Sequence, residues 1–219
     1  MLGLVWVCAA SAAGDTLMLR DGTRLSWQVT SVQADGAHGA KGQQVPAGNL
    51  ARVEFAAPVL PAYGAGVVLV DGTVLGGALR KFSAKVVEVR TVSVGLLSVP
   101  IASVAAVYYG AVPEARELSG ASPGVLLRDG TTVPGNVMWA DAKSVGVLGG
   151  KGLQKIDAQK VRLVVRSSAP DAARVVLRNG DRLAGEVVPQ GEKLSIEVAG
   201  ESRTLPLEAV KIFRYQAKP

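Results

Sequence analysis

The only histidine, His38, lies in the small-residue stretch Ala34-Asp35-Gly36-Ala37-His38-Gly39-Ala40. An imidazole works as a general base only with a partner that holds its tautomer and a group within reach to deprotonate. The sequence assigns neither, so His38 reads as a solvent-exposed loop residue. The stretch Gly146-Val147-Leu148-Gly149-Gly150-Lys151-Gly152 has the glycines and lysine of a phosphate loop. It lacks that motif's spacing and a Ser or Thr after Lys151, and no helix N-terminus follows to receive phosphate. A wide turn is expected there. Asp21, Asp71 and Asp129 recur before glycines as repeated carboxylates would, but the fourth position is Asn179. An amide cannot replace a catalytic acid, yet it can replace a turn former. Trp139 with Tyr63, Tyr108 and Tyr109 offers a binding platform or, as the preferred reading, packing material. Alternation puts one of Tyr108 and Tyr109 in the core and the other outside. Cys8 is the only cysteine, which excludes intramolecular disulfides and cysteine metal clusters. HExxH, CxxC and EF-hand patterns are absent from the sequence. The expectation is a protein that is not an enzyme, with no cofactor and no metal.

Composition points the same way. The net charge is +6, from 24 basic and 18 acidic side chains, and both halves of the chain are mildly basic. Such a balance allows weak attraction to anionic polymers or surfaces without marking a dedicated nucleic-acid site. Aromatics are scarce at 5%, while valine, alanine and glycine are abundant, and valine favours strands that glycine punctuates.

The elements that must position these residues follow one phrase. Residues 175–188 read VVLRNGDRLAGEVV, with apolar residues alternating into and out of an Asn-Gly turn, a strong hairpin signal. LMLRDGTRLSWQV, VVLVDGTVLGGAL and VLLRDGTTVPGNV begin at Leu17, Val67 and Val125. Around the turns, Leu17/Leu25, Val67/Leu75, Val125/Val133 and Val175/Leu183 lie at even offsets, so they should share one face of paired strands. Farther on stand Trp27, Gly77, Gly135 and Gly185. Glycine inside a strand is expected where a sheet bends sharply, here as a barrel corner. Trp27 breaks that rule, either by local distortion or with its indole as a plug.

A second landmark closes each unit. Val45-Pro46, Val99-Pro100, Ile156-Asp157 and Leu205-Pro206 are followed at constant spacing by Leu50/Val53, Val104/Val107, Val161/Val164 and Val210/Phe213. The pattern predicts a strand, one helical or 3₁₀ turn, and a short closing strand. A middle strand is clear at Val87/Val89 and Leu194/Ile196/Val198 and shorter at Val145/Val147; around His38 it dissolves into a loop. The expected fold is therefore all-β: four tandem β-repeats of roughly 40 residues, each a small barrel or curled sheet of about five strands. Their spans are 14–55, 66–109, 124–165 and 173–215. A unit of this size folds marginally alone, so the repeats should pack on one another. Val67, Val68, Leu69 and Val70 suit a strand buried on both faces. Linkers are expected at 56–65, 110–123 and 166–172, the middle one dividing the chain into halves.

Residues 1–13 read as a secretory signal peptide, with Ala10-Ser11-Ala12 or Ser11-Ala12-Ala13 at the cleavage site. The basic n-region is missing, which leaves an atypical leader, a start farther upstream, or a buried N-terminal strand. No other apolar run reaches the ~18 residues of a membrane helix. The mature chain is expected to be secreted or periplasmic, without a transmembrane helix.

The order of strand, Asp-Gly turn, Leu-x-Gly-x-Val strand, middle strand and closing pair resembles Sm-like small β-barrels, and also tandem repeats of secreted bacterial proteins of unknown role. The Sm resemblance implies a fold; the family's RNA site does not carry over. No Asp-x-x-Met-Asn loop and no Arg-Gly pair occurs in the chain. The expected function is that of an exported, non-enzymatic binding or scaffold module of the cell envelope, with a protein or envelope polymer as partner. The alternative is an Sm-like nucleic-acid-binding module using a diffuse basic surface, although nucleic acid is the less favoured partner. Because the repeated residues specify the fold, binding is expected where the repeats differ, at Trp27, His38, Trp139 and Lys151.

Overall fold

Four turns reverse the chain by one device. The side-chain oxygen of Asp21, Asp71, Asp129 and Asn179 accepts a hydrogen bond from the backbone N–H two residues on, at Thr23, Thr73, Thr131 and Asp181, over 2.8, 2.8, 2.9 and 3.1 Å. The intervening Gly22, Gly72, Gly130 and Gly180 all have φ between 87° and 92°, a conformation open to glycine at no steric cost. These aspartates and the asparagine are thus turn formers. The computed structural model describes residues 14–56, 58–60, 63–83, 85–141 and 143–216. The expected leader, with Cys8, lies outside the described residues.

The described chain is all-β. In the first segment β1 (Asp15–Leu19) and β2 (Arg24–Trp27) flank the turn. They are followed by β3 (Val29–Gln33), β4 (Gly36–Gly39), β5 (Gln44–Pro46) and β6 (Leu50–Glu54). The second contains β7 (Ala65–Leu69), β8 (Val74–Phe82), β9 (Val86–Thr91), β10 (Leu96–Pro100) and β11 (Val104–Tyr109). After a short helix α1 (Ala115–Leu118) come β12 (Gly124–Leu127), β13 (Thr132–Pro134), β14 (Asn136–Ala140), β15 (Ser144–Gly149), β16 (Gly152–Asp157) and β17 (Val161–Val165). The last segment holds β18 (Val175–Leu177), β19 (Arg182–Leu183), β20 (Val187–Gln190), β21 (Lys193–Val198), β22 (Glu201–Pro206) and β23 (Val210–Arg214). A 3₁₀ turn precedes the closing strand at Ile101–Ser103, Ala158–Lys160 and Leu207–Ala209.

The apolar pattern is realised as cross-strand triplets. Leu17 lies opposite Leu25 and Val53, Val67 opposite Leu75 and Val107, Val125 opposite Val133 and Val164, and Val175 opposite Leu183 and Phe213. All twelve side chains belong to or pack against one hydrophobic core, and directly opposed apolar pairs stabilise a sheet by about 0.2–1 kcal/mol each.

The glycine corners are where the second strand bends or breaks. β8 runs through Gly77, whereas the strand is interrupted at Gly135 and across 184–186. A Cβ would collide with the carbonyl oxygen of Arg90 at Gly77, of Leu148 at Gly135 and of Glu197 at Gly185. In the first segment the indole of Trp27 lies against Gly39, and the chain breaks at Gln28 before β3.

Barrel closure does not follow. Among the described residues the sheets are one of 14 strands and three of 3 strands, and none closes on itself. The long path runs β13-β12-β17-β11-β7-β8-β19-β18-β23-β6-β1-β2. The physical reason is that each closing strand offers its outer edge to another closing strand: β11 pairs with β17, and β23 with β6. The segments therefore lie in the spatial order third, second, fourth, first. The expected division at 110–123 is also corrected, since β11 and β17 on either side of it are directly hydrogen-bonded. Leu118 of α1 and Ala169 instead cover a second apolar cluster on the back of this sheet, with Val68, Ala106, Tyr108 and Leu163. β7 is accordingly buried on both faces, Val67 and Leu69 in one cluster and Val68 in the other, while Val70 is exposed.

Candidate functional site

The outer face of the β14–β16 sheet is built on a glycine. Trp139 lies opposite Gly146, and the indole rests so closely on that glycine that a Cβ would enter the ring. Its N–H donates to Ser144 Oγ over 3.4 Å. Lys155 is the next partner of Gly146. Two residues along the same face, Asn136, Leu148 and Leu153 form a second cross-strand row. Leu148 and Leu153 are 45% and 58% exposed, and Met138, at the bulge of β14, is 50% exposed. Single exposed apolar side chains are ordinary; here three lie close together on one strand face.

Cations surround this face. Lys143, Lys151 and Lys155 are exposed, and none forms an ion pair among the described residues. Asp141 is occupied by the β14–β15 turn, accepting the N–H groups of Lys143 and Ser144 at 2.7 Å each. Those donors hold its carboxyl below the usual Asp range. Lys151 stands in a two-residue hairpin turn, because Gly149 and Gly152 are paired and Gly146–Gly149 belong to β15. This corrects the expected wide turn; glycine at 150 and φ of 84° at Gly152 permit the tighter reversal.

The equivalent outer faces elsewhere are mostly polar. On β8–β10 the rows are Ala78, Arg90, Leu96 and Lys81, Glu88, Ser98. On β20–β22 they are Val188, Ser195, Thr204 and Gln190, Lys193, Pro206. On β3–β5 they include Ser31, His38 and Gln44. Leu96 and Val188 are exposed singly on the second and fourth of these faces, whereas the third carries Leu148 and Leu153 as a cross-strand pair.

Trp27 and His38 both belong to the first segment. His38 is in β4, not in a loop: the small residues form a strand because Trp27 occupies the space above Gly39. Its Nε2 meets Asp35 Oδ1 at 2.9 Å, and Gln44 donates to the other carboxylate oxygen over 3.2 Å. The His38 bond holds the Asp35 carboxyl below its ordinary range. Trp27 lines a cleft of about 990 Å³ with Asp15, Arg178, Glu192, Lys193 and Glu208. Asp15 there accepts the N–H groups of Val29 and Ala56, so it braces backbone. Of the four expected binding residues, Trp27 and His38 thus lie in the first segment without sharing a cleft, and Trp139 and Lys151 lie in the β14–β16 sheet. No three His, Cys, Asp or Glu side chains of the described residues gather as metal ligands. Tyr108 is buried, its hydroxyl without a partner, and Tyr109 is half-buried, its hydroxyl pushed up to about 12 by burial.

Two groups of residues were not anticipated. Asp181, 1% exposed, sits where β8 meets β19. It accepts from Gly76 N–H over 2.6 Å, from Asn179 Nδ2 over 2.9 Å and from Ser93 Oγ. Reciprocally, Thr73 Oγ1 accepts from Ala184 N–H over 3.1 Å. Only the replacement of Thr by Asp at the position occupied by Thr23, Thr73 and Thr131 hinted at this. The second group is a cross-strand row of Arg24, Met18, Arg52 and Arg214 on the polar face of β2, β1, β6 and β23. These arginines come from three separate strands, so linear sequence gives no cluster. No family model, curated protein or solved structure matches this chain.

Proposed function

We propose that this chain is an exported, non-enzymatic binding module of the cell envelope, made of four tandem copies of one β unit. Its docking surface is the outer face of β14–β16. The common turn geometry and the common cross-strand register support the reading of four copies. The observation that carries the docking site is the exposed apolar pair Leu148 and Leu153, beside Trp139 and near three lysines, where the corresponding faces of the second and fourth segments carry a single exposed large apolar residue each, Leu96 and Val188. A photo-cross-linking side chain placed at Leu153 should give a discrete adduct in intact cells, and one at Thr204, on the corresponding face of the fourth segment, should not. Equal labelling at both positions, or none at Leu153, sinks the reading. Mass spectrometry of the mature N-terminus tests export; an intact Met1 on cytoplasmic protein contradicts it.

A second reading has one specific observation behind it. Three arginines in one cross-strand row suit a polyanion such as a nucleic acid, with neighbouring strands about 4.8 Å apart. Arg52 is already near Glu54 at 3.7 Å, and Arg214 donates to Ala173 O, which weakens the case. Phosphate-driven binding should fall steeply between about 50 and 200 mM salt. Binding that is absent, or flat with salt, removes this reading.

A further inference from the structure

We propose that the partner of the β14–β16 face is an anionic lipid surface, an inference that rests on the docking reading above. Protein interfaces are depleted in lysine, and their energetic centres are poor in leucine. This face has both. Membrane-surface segments combine exposed apolar side chains with basic residues around them, and tryptophan is enriched at the headgroup level. Leu148 and Leu153 project from one flat face, Met138 beside them. Trp139 lies flat on Gly146 with its N–H already satisfied, so the ring can enter the headgroup region without an unpaired donor. Lys143, Lys151 and Lys155 form no close ion pair among the described residues; Asp141 lies near Lys143 and Lys155 and Asp157 shares the strand of Lys155, so three lysines outnumber two aspartates on this face and leave it net positive toward anionic headgroups. Their flexible stems let the ammonium groups reach headgroups while the leucines insert. The charge complementarity is what favours an anionic surface over a neutral one.

The test uses the full chain with vesicles of phosphatidylethanolamine containing phosphatidylglycerol, and with vesicles of phosphatidylcholine alone. Co-sedimentation should show binding to the first and little to the second. Each lysine near the surface contributes about fivefold, equivalent to ~1 kcal/mol, so Lys151→Gln with Lys155→Gln should weaken binding by about 25-fold. Leu148→Ser with Leu153→Ser should weaken it by on the order of tenfold or more, through lost apolar insertion. Val188→Ser, an exposed change on the fourth segment, should leave it unaltered. These positions are exposed, and an unchanged thermal midpoint shows that each variant folds. No vesicle binding, or binding that ignores both double substitutions, overturns the lipid proposal. A protein adduct at Leu153 together with no vesicle binding would leave the docking face standing and remove only the lipid. Absence of both would remove both.

Discussion

At the scale of single residues, Asp181 is the group whose environment departs furthest from its counterparts. Thr23 and Thr131 are exposed at the corresponding turns, whereas Asp181 and Thr73 are buried where β8 and β19 meet. Burial raises the Asp181 carboxyl above its ordinary value, partly offset by donation from Ser93, Gly76 and Asn179. Between the ordinary Asp value, about 4, and that raised value, the folded chain binds more protons than the unfolded one. Stability should therefore fall as pH rises through this window and level off above it. Asp181→Asn keeps an acceptor for Gly76 N–H and abolishes the charge, so it should flatten that fall, while its amide nitrogen opposes the Asn179 donor and should cost about 1–3 kcal/mol at pH 7; denaturant titration at several pH values checks both. Asp181→Ala leaves the Gly76 donor buried without a partner and should cost about 1–3 kcal/mol. The amide of Asn179 is needed for the same reason. It donates to Asp181, so Asn179→Asp would set two carboxylates side by side and should destabilise clearly, while Asp21→Asn at an exposed turn should change little. A comparable loss in both variants would mean that Asp181 does not set the preference for an amide at 179.

At the scale of elements, the corner glycines decide the shape of each segment. A side chain at Gly185 would collide with Glu197 O, whereas nothing lies within 4 Å of a Cβ at Gly150. Gly185→Ala should therefore cost about 1–3 kcal/mol through forced backbone movement. Gly150→Ala should stay within about 0.5 kcal/mol. Thermal unfolding of the two variants separates steric need from general glycine preference. This bend was legible in the sequence because glycine weakens a strand interior and recurs there chiefly where the sheet must turn or another backbone comes close. The triplets Val53–Leu17–Leu25 and Phe213–Val175–Leu183 were legible for a similar reason, since alternation sets a face and the turn sets the register. The strand at His38 was not. Its glycine and alanine content reads as a loop until Trp27, at the end of another strand, is seen to fill the space above Gly39. Of the residues in the proposed docking surface, Trp139 and Lys151 stand out in the sequence because they depart from their counterparts. Leu148 and Leu153 were hidden in a glycine-rich stretch, and their exposure depends on which face of β15 and β16 the core takes.

At the scale of the molecule, the order third, second, fourth, first was not legible, because pairing between segments depends on edge chemistry and not on periodicity. The joint between β8 and β19 shows what such an edge requires. Val74 faces Arg182, and Gly76 and Ala184 each donate an outward N–H to a side chain of the opposite strand, Asp181 or Thr73. The terminal strands β2 and β13 present the same register toward solvent, since Thr16 pairs with Ser26 and Gly124 with Pro134 as Gly66 pairs with Gly76. Each is spoiled for further pairing. Pro134 has no N–H where Gly76 and Ala184 donate, and two β2 edges meeting in this way would set Arg24 against Arg24. Proline and charge on an edge are common protections against strand addition. Pro134→Ala with Thr132→Val should supply two requirements on β13, an outward N–H and an apolar central residue, with Thr131 already standing as the acceptor in the place of Thr73. Two copies could then exchange a pair of such bonds about a two-fold axis. Sedimentation equilibrium should show concentration-dependent self-association of this double variant beyond that of the wild-type chain, while Thr132→Val alone, which retains Pro134, should not show it. Identical behaviour of the double variant and the wild type would mean that the edges are held apart by something other than the missing donor.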